Sequence, residues 1–221
     1  PLTTIVNIDK YFPGHALNEG IRASKGRFIV CLSAHCIPKS TDWLSTLRQN
    51  FDSHEKLAGI YGRQLPVSYT KAIDKRDLLI VFGQDRRVQI KDYFFHNANS
   101  MIRRDVWEQF PFDERVTNIE DRVWGKTIIE AGYRIVYEPD AAVYHHHGLH
   151  QGNIPERAKG VISVIEHVDK KLVYELPESL RPEHACIDAI VPIKGTITGA
   201  QDQEDSLRST ISALKEARYV N

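Results

Sequence analysis

A continuous apolar run, Phe28-Ile29-Val30-Cys31-Leu32, follows Arg27 and gives way to the small and polar Ser33-Ala34-His35. Apolar residues without alternation suit a strand covered on both faces, and such strands belong to largely parallel sheets flanked by helices. The flanking sequence agrees. Ala16, Leu17, Ile21 and Ala23 recur at helical spacing between a Pro13-Gly14 break and a stop at Gly26. Thr41-Asp42-Trp43-Leu44 opens a second helix, with Leu44, Leu47 and Phe51 on one side, and Gly59-Ile60-Tyr61-Gly62 reads as another strand. The β-branched opening, Thr3-Thr4-Ile5-Val6-Asn7-Ile8, reads as a strand too. This alternation predicts an α/β fold.

The pattern then loosens. Residues 66–95 read as a loop plus one helix, 97–102 as an extended segment, and about 104–110 as a short helix. A stronger helix spans about 119–131 and is closed by Gly132. Two strands follow, 133–137 and 141–145, separated by a Pro139-Asp140 turn. Beyond Gly152 the spacing predicts a helix over 155–171, with Val161, Val164, Ile165 and Val168 on one face. The domain organisation expected is a core at 1–152, a helical extension at 153–174, a linker at 175–186 bearing Pro177 and Pro182, and a second unit starting at 187–221.

Lys plus Arg and Asp plus Glu both number 29, so no electrostatic footprint for nucleic acid or an anionic membrane exists. Cys31, Cys36 and Cys186 form no metal-type pair. With no signal peptide and no apolar run near eighteen residues, the expectation is a cytoplasmic protein, at most peripheral at the inner membrane face. The chain starts at Pro1 and its single methionine is Met101, which reads as a piece of a longer protein.

The residues that carry chemistry fall in order. Phe12-Pro13-Gly14-His15-Ala16-Leu17-Asn18-Glu19-Gly20-Ile21, Gly26 and Leu32-Ser33-Ala34-His35-Cys36-Ile37-Pro38 come first. Asn97-Ala98-Asn99-Ser100, Glu120-Asp121-Arg122-Val123-Trp124, Gly132-Tyr133-Arg134-Ile135 and Val143-Tyr144-His145 follow. The ordered set resembles the family 2 glycosyltransferases over roughly residues 3–150. The resemblance implies a GT-A fold, a mixed sheet flanked by helices, here lacking its first strand. It implies a sugar moved from a nucleotide-diphosphate donor to a glycan or lipid-linked acceptor, with inversion. Ser33-Ala34-His35 departs from the family's Asp-x-Asp and matches a rhamnosyltransferase-like subset.

Roles follow from the match. Asp121, at a helix start, would take the acceptor hydroxyl's proton, and Glu120 would orient it. Their bland alternative is a charged first turn. His15, Asn18, Ser33, His35 and Arg63, with Gln64 beside it, are expected on the donor, and Asn99 and Trp124 on the acceptor. His35 and His145 are expected on one rim of the sheet, sharing a divalent cation, Mn2+ or Mg2+. Imidazole suits manganese better than magnesium. Successive strand residues point to opposite faces, so His145 and His147 could share a side while His146 could not; a three-ligand histidine cluster is disfavoured.

The tail carries a second resemblance. Asp188-Ala189-Ile190-Val191-Pro192 with the segment 209–220 is similar to the opening of a sugar-nucleotide cytidylyltransferase, which implies a fused or partner sugar-activating domain. Against the enzyme stands a degenerate transferase fold serving as a binding or scaffold module. A histidine-based metallohydrolase would need spaced carboxylates that the sequence lacks.

Overall fold

The computed structural model describes residues 4–148 and 155–169. Among the described residues six strands make one mixed sheet: β1 (Phe28–Leu32), β2 (Cys36–Pro38), β3 (Leu57–Leu65), β4 (Arg87–Gln89), β5 (Asn99–Arg103) and β6 (Arg134–His145). Their order is β1-β5-β3-β6-β2, with β4 pairing β6. β3 and β6 run parallel, and the other pairs are antiparallel. The helices are α1 (Pro13–Ala23), α2 (Trp43–Gln49), α3 (Ala72–Val81), α4 (Arg104–Gln109), α5 (Glu120–Glu130) and α6 (Pro155–Val168).

Period-two alternation divides the apolar residues between two cores. Ile29, Tyr61, Ile102, Ile135 and Tyr137 pack with Ile21, Leu78, Trp107 and Trp124 from the helices. Ile60, Met101, Val136 and Val143 pack with Trp43 and Leu47 of α2. The strand buried on both faces is therefore β3, whose residues from Leu57 to Gly62 are all buried. The expectation had been β1. There Ile29 and Cys31 are buried, but Val30 and Leu32 are about two-fifths exposed, at 36% and 40%. β1 lies at the end of the strand order, with β5 as its neighbour among the described residues.

Other expectations change as well. Residues 4–8 form no strand, and Ile5 is exposed. Pro13 does not break the chain but opens α1, where its missing N–H costs nothing, and the helix ends at Ser24 rather than Gly26. Leu44 is exposed, and α2 buries Trp43, Thr46 and Leu47 instead.

The two strands expected around Pro139-Asp140 are one, β6. Its pairing with β3 steps from Gly62–Glu138 to Gln64–Val143, so residues 139–142 bulge opposite Arg63. Asn99 holds that bulge: its Nδ2 donates to Arg63 O (3.2 Å) and Ala141 O (2.8 Å). A Cβ on Gly62 would stand 2.3 Å from Asn99 Nδ2 and 2.0 Å from Ala141 O, so only glycine fits there. The linker and the second unit expected from residue 175 onward lie outside the described residues.

Candidate active site

The first cluster is built by strand register. A bond from Cys36 N–H to Ser33 O (2.9 Å) closes the turn from β1 into β2. Cys36 then pairs with His145 across the β2–β6 ladder. His35, one residue earlier, is thereby set beside His145, and their rings stack with centroids 4.8 Å apart and planes 9° apart. The chain bends after β6 and brings His147 back, its ring 4.4 Å from His35 and 4.2 Å from His145. Gly148 anchors the bend: a Cβ there would lie 2.6 Å from the buried Asp74 carboxylate, so the backbone packs directly on it. One nitrogen of each of His35, His145 and His147 lies within 4.8 Å of the others.

Burial is the main cause holding His145 down to about 3, followed by the neighbouring His147 and His35. His35 is also lowered, by burial first and then by His147. His145, 2% exposed, sets its Nδ1 2.7 Å from Gln64 Oε1, while its buried Nε2 has no protein partner among the described residues. An unspent nitrogen lone pair between two other imidazoles suits a cation that accepts nitrogen ligands. The residues therefore fit such an ion.

The second cluster opens α5. Ile119 sits at φ 49°, ψ 31°, the left-handed region that a β-branched residue enters at a cost of roughly 1–3 kcal/mol. From there the chain turns into the helix with both acids facing inward. Asp121 accepts from Asn97 N–H (3.0 Å) and Arg122 N–H (2.8 Å). Glu120 accepts from Asn97 Nδ2 at 3.2 Å. Both carboxylates, 8% and 9% exposed, line a cleft of about 600 Å³ together with Ser33, His96 and Arg157. Burial, and then the charge of Asp121, pushes the Glu120 carboxyl up to about 7.

Residues 2–110 match the family model for glycosyl transferase family 2. Two O-antigen chain rhamnosyltransferases are similar in sequence. WbaN of Salmonella anatum is 28% identical over 65% of this chain and 49% of its own length. RfbN of Salmonella typhimurium is 26% identical over 65% and 50%. This chain carries a glycosyl transferase family 2 region over residues 2–110. It spans about half the length of those curated relatives. The fold agrees. A mannosyltransferase from Pyrobaculum calidifontis, solved with GDP-Man and Mn2+, superposes with a TM-score of 0.50 at 19% identity, over 75% of this chain and 52% of its own. Residues 1–349 of S. aureus TarS, solved with UDP-GlcNAc, also give 0.50, at 16% identity over 71% and 46%. The mixed sheet with flanking helices is the GT-A fold.

Several expected site residues are held in contacts within the protein. Asn18 is 1% exposed and spends its whole amide internally: it accepts from Trp107 Nε1 and Phe112 N–H, and donates to Phe112 O and Glu114. His15 pairs with Glu114 at 3.1 Å, and neither residue caps α1. Asn99 is fully buried, and its Oδ1 accepts from Trp43 Nε1 (2.9 Å). Trp124, 2% exposed, packs on Phe95 and Phe112 and donates to Phe110 O. Neither of these acceptor candidates is on the cleft wall. Arg63 donates to Phe82 O. Its neighbour Gln64 faces the imidazoles, because adjacent strand residues face opposite ways. Sequence reading missed His96; it places Gln64 beside Arg63 among the donor contacts, and allows His147 on the side of His145.

Proposed function

We propose that this region binds a nucleotide-diphosphate sugar and transfers the sugar, with inversion, to a glycan or lipid-linked acceptor. The acceptor oxygen attacks the anomeric carbon as the bond to the diphosphate oxygen breaks, and the Asp121 carboxylate receives the hydroxyl proton. One observation carries the reading: the Glu120-Asp121 pair lies in the cleft wall, with Asp121 aimed by two backbone N–H donors. Donors that fix the carboxylate in place keep it aimed at the hydroxyl whose proton it takes. Ser33, on the same wall, extends the cleft toward the turn that carries His35.

His35, His145 and His147 would hold a divalent cation. When bound, such an ion neutralises diphosphate charge and so eases departure of the leaving group. Neutral imidazoles suit that role, since burial keeps His145 and His35 from protonating near pH 7. The named activity of the similar rhamnosyltransferases, on O-antigen chains, supports a glycan acceptor.

The experiment is turnover beside donor affinity in the complete protein. Asp121→Asn keeps size and one acceptor oxygen but cannot take the proton, so turnover should fall by roughly a hundred- to ten-thousand-fold. Affinity for the donor should hold. Glu120→Gln should lose less, and near-normal turnover in Asp121→Asn would overturn the assignment.

A further inference from the structure

Gln64 is 1% exposed and touches two histidines at once, His145 through Oε1 and His96 through Nε2. An amide placed between two imidazoles can be written either way round, so its orientation needs an outside reference. A backbone N–H supplies it. Ala98 N–H points at His96 Nδ1 (3.3 Å), and a backbone amide can only donate. His96 Nδ1 therefore carries no proton and its proton sits on Nε2. Gln64 must then turn its NH2 toward His96 (3.0 Å), which leaves Oε1 for His145. An amide oxygen only accepts, so His145 Nδ1 carries the proton and Nε2 carries the lone pair. That Nε2 is the buried atom with no protein partner, beside His35 and His147. His147 reaches the same state independently, because its Nδ1 donates to Gly148 O (3.1 Å).

We infer that Gln64 is a positioning residue that holds His145 and His96 in opposite tautomers, making His145 Nε2 a cation ligand and His96 Nε2–H a hydrogen-bond donor at the cleft. The inference rests on the cation reading above. It adds that a single backbone amide on the acceptor side, at Ala98, selects the ligating nitrogen on the cation side. Outer partners of this kind orient a ligand ring and raise its basicity.

The test uses Co2+, which accepts nitrogen ligands and reports its coordination by visible absorption, with 15N-histidine NMR of the same protein without metal. Wild type should show His145 protonated on Nδ1 and His96 on Nε2. Gln64→Met removes both contacts at similar volume, and should lower Co2+ affinity roughly ten- to a hundred-fold and mix the His145 tautomers. Gln64→Glu keeps the acceptor for His145 but cannot donate to His96. It should retain Co2+ affinity while its negative charge draws a proton onto His96 Nδ1, displacing the 3.3 Å contact from Ala98 N–H, and this variant carries the test alone if Gln64→Met does not fold. Equal Co2+ affinity and unchanged tautomers across the variants would overturn the role of Gln64. Wild type that shows both tautomers but takes up no Co2+ would overturn the cation reading, and with it the ligand assignment here.

Discussion

Asn99 and His145 are both essentially buried polar residues on the same sheet, and they end in opposite states. Asn99 has spent its amide three times over, on Trp43, Arg63 O and Ala141 O. His145 spends Nδ1 on Gln64 and keeps Nε2 unsatisfied. Leaving a buried polar atom unpaired costs about 1–3 kcal/mol, so the rim of the sheet carries a cost that the bulge does not. The lesson is that saturation separates the two kinds of buried polar residue better than motif position does. Asn18 and Asn99 both sit in family motifs, and both staple the fold. His35, His145 and His147 keep nitrogen available. The carboxylates of α5 stand between these extremes, partly bonded and still open to the cleft.

The largest expected effect separates the carboxylates from the imidazoles. Asp121→Asn should cut turnover by roughly a hundred- to ten-thousand-fold and leave Co2+ affinity unchanged in calorimetry. A loss of Co2+ affinity in that variant would merge the two regions and break the comparison. Next comes the spent amide. Asn99→Ala strands the Trp43 N–H and two carbonyls inside the protein, and should destabilise it by on the order of 3 kcal/mol in denaturant melts. A loss well under 1 kcal/mol would mean that water reaches the bulge.

His145→Ala should do the reverse. Removing a ligand should weaken Co2+ binding by at least the ten- to hundred-fold typical of losing an outer-shell partner. Its stability without metal should fall less than that of Asn99→Ala, since it breaks one hydrogen bond, to Gln64, where the amide loses three. A stability loss as large as that of Asn99→Ala would place His145 with the staples.

The smallest effect is in pH dependence. The Glu120 carboxyl is raised when folded, so the folded protein holds that proton more tightly than the unfolded chain does. Its contribution to stability is therefore greatest at low pH and is lost as pH rises from the ordinary range near 4 to about 7. Glu120→Gln removes the dependence, and should gain on the order of 2 kcal/mol over wild type at pH 8 relative to pH 4. Parallel stability curves for the two proteins would show that Glu120 is ordinary when folded.

The sequence by itself determined the α/β class, the helix that opens at Glu120 and the order of family motifs, because these rest on spacing and local propensity. It also singled out His35 and His145 as strand-end residues that belong together. Tertiary structure decided which polar side chains were consumed. Nothing local distinguishes Asn18, bonded across to Phe112 and Glu114, from a residue facing substrate. Nor could local pattern join the two segments around Pro139 into β6, since a bulge is made by the partner strand and by the Asn99 amide bridging it. Alternation already allows His147 to share a side with His145, but the strand ends at His145, and it is the bend after it that brings the two rings within 4.2 Å. Gln64 keeps to the alternation of β3, but its partners come from elsewhere in the chain. Its role exists only where three segments distant in sequence meet, and hydrogen-bond direction, passed from Ala98 through His96, is a property of that meeting.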